Sequence, residues 1–84
     1  MEQKHIKVEA MYCPDYKFRV RPTAFYLEVD GVTRRIPIDR ITGEVKAASL
    51  KLGKAGIRYT CRVREKFVYL YKDVDEWHLE MPSL

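Results

Sequence analysis

A chain of 84 residues has room for one hydrophobic core, so the sequence predicts a single small domain over residues 1–84 and no deep cleft between domains. Hydrophobic residues at 46% and charged residues at 33% argue for a folded chain, since enough apolar surface is present to offset the entropy of ordering. No run approaches the roughly 18 apolar residues of a membrane span, and no signal-peptide pattern follows Met1-Glu2-Gln3-Lys4-His5, so the expected location is the cytoplasm, with no membrane partner.

The net charge is +4, unevenly spread. Seven basic residues lie between Lys46 and Lys66 against the single acid Glu65, whereas Asp73 to Glu80 holds four acids and no Lys or Arg. Such asymmetry can steer an anionic partner to one face; a solvated face is the plainer explanation.

In chain order, apolar residues alternate with polar ones and never recur at helical spacing for three turns. The first strand is expected from His5 to Tyr12, with Ile6, Val8 and Ala10 on one face, followed by a turn at Cys13-Pro14-Asp15. A second strand begins near Lys17 and meets Pro22, which marks an edge, a bulge or a break. The chain resumes at Ala24, and Phe25, Leu27 and Val29 share a face up to Asp30-Gly31, a strong two-residue hairpin signal. That turn sets Val29 opposite Val32, Leu27 opposite Arg34, Tyr26 opposite Arg35 and Phe25 opposite Ile36.

Past Pro37, Asp39 to Gly43 reads as a corner before a short strand from Glu44 to Ala48. Ser49 to Gly56 has no clear period, with at most one helical turn around Ala47 to Leu52. Ile57 to Arg64 then alternates strictly, Phe67 to Lys72 follows, and Glu76 to Met81 puts Trp77, Leu79 and Met81 on one side. The sum is an all-β fold, a small antiparallel barrel or rolled sheet of six to seven short strands in a meander.

Asp39-Arg40-Ile41, Ala47-Ala48-Ser49-Leu50-Lys51 and Gly56-Ile57-Arg58-Tyr59-Thr60-Cys61-Arg62 together resemble a pattern in a family of short uncharacterised bacterial proteins. The resemblance covers about half the chain. It implies a shared fold and carries no activity.

Catalytic motifs are missing. No G-x-S-x-G elbow occurs and both histidines lie near the chain ends, so the usual hydrolase layouts find no support. The acid pairs Asp73/Asp75 and Glu76/Glu80 read as hydrated side chains rather than the two carboxylates of a sugar cleft. His5, Cys13, Cys61 and His78 lack the paired spacing of zinc knuckles and read as two surface histidines, the loop thiol Cys13 and a packed Cys61; no metal or other cofactor is expected. Gly53-Lys54-Ala55-Gly56 fits neither a phosphate-binding P-loop nor the helix-joining clamp of KH domains, and reads as a turn with an option on phosphate contact.

The remaining signal is register. A two-residue turn at Glu65-Lys66 would oppose Arg64 to Phe67, Arg62 to Tyr69 and Thr60 to Tyr71, and pair Val63 with Val68 and Cys61 with Leu70 on the inner face. A Val74-Asp75 turn would then align Leu70 with Leu79 and Lys72 with Trp77. Arg58, Arg62, Arg64, Phe67, Tyr69 and Tyr71, with Lys54 from the glycine loop, would form a basic and aromatic outer face of the kind that stacks bases and neutralises phosphates. A three-residue turn would reverse the parity and bury the aromatics. The sequence therefore points to a non-enzymatic binding module, with single-stranded RNA or DNA as partner, or alternatively a protein partner or a second copy of the chain, because Tyr, Phe and Arg are also enriched at protein interfaces.

Overall fold

The Asp30-Gly31 turn adopts the left-handed pair that its residues favour, φ 53° and 77°, and so fixes a tight hairpin. In the computed structural model, which describes residues 2–48, 55–73 and 76–81, this hairpin joins β3 (Val20–Val29) to β4 (Val32–Pro37). Its register pairs Val29 with Val32, Leu27 with Arg34, Tyr26 with Arg35 and Phe25 with Ile36, as the turn chemistry requires.

The described residues are all β, with eight strand segments where six to seven were expected. The first expected strand begins earlier and bends at Lys7 into β1 (Glu2–Ile6) and β2 (Val8–Tyr12). The others are β5 (Arg40–Ala48), β6 (Ala55–Val63), β7 (Lys66–Lys72) and β8 (Trp77–Met81). They form an antiparallel five-stranded sheet in the order β1-β8-β7-β6-β5 and a three-stranded sheet in the order β2-β3-β4.

Two segments pass from one sheet to the other, at Lys7 and at Ile38-Asp39. Backbone bonds hold both corners: Tyr26 N–H donates to the Lys7 carbonyl, Ile38 N–H to the Thr23 carbonyl and Asp39 N–H to the Arg62 carbonyl, all within 2.9–3.0 Å. The sheet is rolled and flattened into two layers rather than closed into a continuous barrel. The corner expected at Asp39 to Gly43 thus lies at its first residue, and β5 starts already at Arg40, with a bulge at Thr42.

Of the edge, bulge or break that Pro22 signals, the bulge is realised. The proline lies within β3, buried, opposite Ala10, and the chain absorbs its missing N–H by a bulge at Thr23, whose hydroxyl donates to the Glu9 carbonyl (3.1 Å). The strand expected from Lys17 starts only at Val20, because 14–19 turn back on themselves with Arg19 at φ 63°. The carboxylate of Glu44 accepts the N–H groups of Lys17 (3.0 Å) and Phe18 (3.2 Å) and ties this loop to β5. The helical turn considered around Ala47 to Leu52 falls partly on β5 and otherwise outside the described residues.

Phe25, Tyr59, Cys61, Val68, Leu70 and Leu79 form the buried core between the layers, with Ile6, Ile36, Ile41 and Trp77 packed around them. The Tyr59 ring lies 5.8 Å from Trp77, and its hydroxyl donates to the Val20 carbonyl (2.8 Å), so a buried polar tip is satisfied across the two layers. Among the described residues no helix is long and apolar enough to cross a membrane.

Burial pushes the Cys61 thiol from its ordinary 9 up to about 12. The folded chain therefore holds this proton where the unfolded chain releases it, so the contribution to stability is complete below pH 9 and is lost as pH rises towards 12. A thiol reagent applied at neutral pH is expected to label the half-buried Cys13 in the native protein and Cys61 only after unfolding; rapid native labelling of both would show that the core opens.

Candidate nucleic-acid interface

Strand β6 alternates Tyr59, Cys61 and Val63 inward with Arg58, Thr60 and Arg62 outward. Its pairing with β7 decides which aromatics join the arginines. The observed register sets Arg62 opposite Phe67, Thr60 opposite Tyr69, Arg58 opposite Tyr71, Cys61 opposite Val68 and Tyr59 opposite Leu70. The parity that puts Phe67, Tyr69 and Tyr71 on the outer side is thus the one realised, but the register is displaced by two residues because the turn is Arg64-Glu65 rather than Glu65-Lys66.

Arg64 belongs to that turn and not to the strand. It takes φ 57°, a region that L side chains seldom occupy, and the Asp39 carboxylate accepts its N–H at 2.6 Å. The next hairpin aligns Leu70 with Leu79 and Lys72 with Trp77, as expected.

The outer face of the large sheet now has definite rows. Across β5, β6 and β7 run Arg40–Arg62–Phe67, Gly43–Thr60–Tyr69 and Val45–Arg58–Tyr71. The Arg62 guanidinium lies 5.4 Å from the Phe67 ring centre and that of Arg58 lies 5.0 Å from Tyr69. These two contacts hold the guanidinium groups against rings. Phe67 is 48% exposed, and no carboxylate of the described residues is ion-paired with Arg40, Arg58 or Arg62.

Sheet β2-β3-β4 offers the contrast. There Lys7 lies over Tyr26, but the Glu9 carboxylate accepts both the Tyr26 hydroxyl and a forked bond from Arg35 (3.1 and 2.9 Å). Hydrogen bonding to Arg35, then to Tyr26, holds Glu9 below the usual carboxylate range. That arginine and that aromatic are occupied by a carboxylate, whereas no carboxylate of the described residues is ion-paired with the arginines of β6.

Tyr71 departs from expectation. It is 4% exposed and cannot offer a stacking surface. Its neighbours on the same face, His78 and Glu80, are buried too, so the reading of Glu80 as a hydrated side chain and of His78 as a surface histidine is overturned. Burial, then contact with Glu80, raises the Tyr71 hydroxyl above its ordinary value, with Arg58 opposing. The Glu80 oxygens and Arg58 Nε make no hydrogen bond of ordinary geometry, so the hydroxyl mediates only a loose contact between a buried carboxylate and a guanidinium.

Lys54 lies outside the described residues. Gly56, expected at the end of that loop, lies instead within β6 opposite Ala47 and has a packing role: a Cβ there would lie 2.4 Å from the Lys72 carbonyl oxygen. Arg40 was missed by sequence reasoning because only the β5–β6 register, set past a bulge, brings it beside Arg62.

Of the histidine and cysteine set, Cys61 and His78 do not come together. Cys61 points into the core while His78 lies on the opposite face of the same sheet; His5 pairs with His78 through the backbone. Donor atoms of Asp73, Glu76 and His78 do lie within 4.8 Å of one another, with His78 Nε2 3.5 Å from Glu76 and 3.9 Å from Asp73. These are the described residues best placed to share a cation, though Asp73 also accepts the Glu76 N–H (3.0 Å) within the hairpin turn. No protein-family model, curated protein or solved structure matches the chain.

Proposed function

We propose that this domain is a non-catalytic binding module that takes single-stranded RNA or DNA on the outer face of β5, β6 and β7, with Phe67 and Tyr69 stacking bases and Arg40, Arg58 and Arg62 neutralising phosphates. The carrying observation is the pair of arginine–aromatic contacts, Arg62 with Phe67 and Arg58 with Tyr69, on a face whose arginines have no carboxylate partner among the described residues. Stacking tolerates any base and the arginines read only the backbone, so broad sequence preference goes with this arrangement. Arg64, at the adjacent turn, extends the positive edge. A cytoplasmic setting accords with the free thiols of Cys13 and Cys61.

Fluorescence anisotropy with a short labelled single-stranded RNA, repeated over a range of salt, tests this. Three neutralised phosphates give a log–log salt slope of about −2, at roughly −0.7 per contact on a single strand. Binding that ignores salt, or none at low salt, would sink the proposal.

The exposed Phe67 and Val45 (40%) on this same face also suit a protein partner, and salt-insensitive capture would favour that reading. Of the edge strands β1, β5, β2 and β4, β4 carries Arg34, Arg35 and Pro37, which blunt edge-to-edge pairing along it.

A further inference from the structure

At one end of the rolled sheet the two layers part. Between β3–β4 and the β6–β7 hairpin lies a cleft of about 660 Å³ whose apolar lining includes Phe25, Leu27, Ile36, Val63, Val68 and Met81. Phe25 and Val68 are buried, Leu27, Ile36 and Val63 half-buried, and Met81 stands 43% exposed at the rim. The volume falls within the range of about 300–1,000 Å³ that holds small ligands.

The polar residues of the cleft make it more than a packing gap. Arg34 is directly opposite Leu27 and so lies on the core-facing side of β4, the side of Ile36; Lys66 is likewise directly opposite the inward Val63. Two cations thus occupy positions that strand alternation assigns to apolar residues, both where the layers open. Arg64, in the turn, adds a third. Against them the lining has one acid, Glu65, and among the described residues none of the three cations is ion-paired. Asp39, the other nearby acid, accepts the Arg64 N–H.

An apolar floor with unpaired cations at its mouth complements a ligand with one anionic head and a hydrocarbon tail. We propose that this cleft binds a free fatty acid, its chain lying against Phe25, Leu27, Ile36, Val63 and Val68 and its carboxylate held by Arg34 and Lys66. Apart from Arg64 in the shared turn, the site uses the inner side of the large sheet and the arginine–aromatic face its outer side; Arg34 and Lys66 belong to the cleft alone, so either site can fail without the other.

The test is an NMR titration of the protein with monomeric decanoate, alongside decanol, which lacks the charge, and acetate, which lacks the tail. Saturable shifts at the cleft residues with decanoate, clearly weaker ones with decanol and none with acetate are expected. Arg34→Gln is expected to weaken decanoate about tenfold, the size of one charge-assisted hydrogen bond, without altering decanol. Leu27→Trp, which fills the cleft, is expected to abolish both; should it misfold, Arg34→Gln still decides. Absence of saturable decanoate binding, equal binding of decanol and decanoate, binding to anionic phospholipid vesicles but not to monomeric decanoate, or a dimer that buries the cleft would each overturn the proposal.

Discussion

Leu70→Ala is expected to lower the unfolding free energy by about 2–5 kcal/mol, the cost of removing buried methyl groups and leaving a cavity. Leu70 is fully buried, and it lies opposite both Tyr59 on β6 and Leu79 on β8, at the centre of the large sheet's inner face. Neither neighbour can move in readily: Tyr59 is anchored by its bond to the Val20 carbonyl and by its packing near Trp77, and Leu79 is itself 1% exposed. A chain of 84 residues has little stability in reserve, since domains hold only about 5–15 kcal/mol in total and small ones tend towards the lower end. Urea unfolding followed by Trp77 fluorescence gives the value. A loss below about 1 kcal/mol would mean that the site collapses freely and that the core is more plastic than its packing suggests.

Much of this core could be read from alternation, and the reasons for success and failure are local. Asp30-Gly31 encodes its own turn through residues that accept positive φ, so the four β3–β4 pairs read from the sequence are among those observed. The β6–β7 turn does not. Its left-handed residue is Arg64, stabilised by Asp39 from 25 residues away, and no local signal marks it; the pairing was therefore displaced by two residues. Since a strand's faces repeat every second residue, that displacement kept the parity of the residues that stay in the strands, while Arg64 passed from the outward set into the turn and Lys66 from the turn to an inward position.

Pro22 announces the bulge beside it, but the bend at Lys7 and the bulge at Thr42 were illegible for a similar reason, being settled by the meeting of two layers rather than by neighbouring residues. So was the burial of Glu80 and His78. An alternating strand shows which residues share a face but not how much of that face is covered. Arg40 illustrates the reverse case, an exposed residue whose company with Arg62 depends on a register set elsewhere.

That distinction between facing outward and being exposed underlies the effect expected on ligand binding. Phe67→Ala is predicted to weaken single-stranded RNA by about 1–3 kcal/mol, roughly 5- to 150-fold, the range for losing one base-stacking aromatic. Fold stability should barely change, within about 0.5 kcal/mol, because the ring is 48% exposed and its main partner is the surface guanidinium of Arg62. Tyr71→Phe is the counterpart. It keeps a ring in a buried position and removes only the hydroxyl in loose contact with Glu80 and Arg58, so stability should fall by no more than about 0.5–1.5 kcal/mol, while RNA affinity stays within about twofold. Anisotropy and urea titrations on both variants separate the two roles. Were Tyr71→Phe to cost affinity and Phe67→Ala to cost none, base contact would have to lie on the β7–β8 side, beside Asp73 and Glu76, where phosphate meets carboxylates instead of arginines.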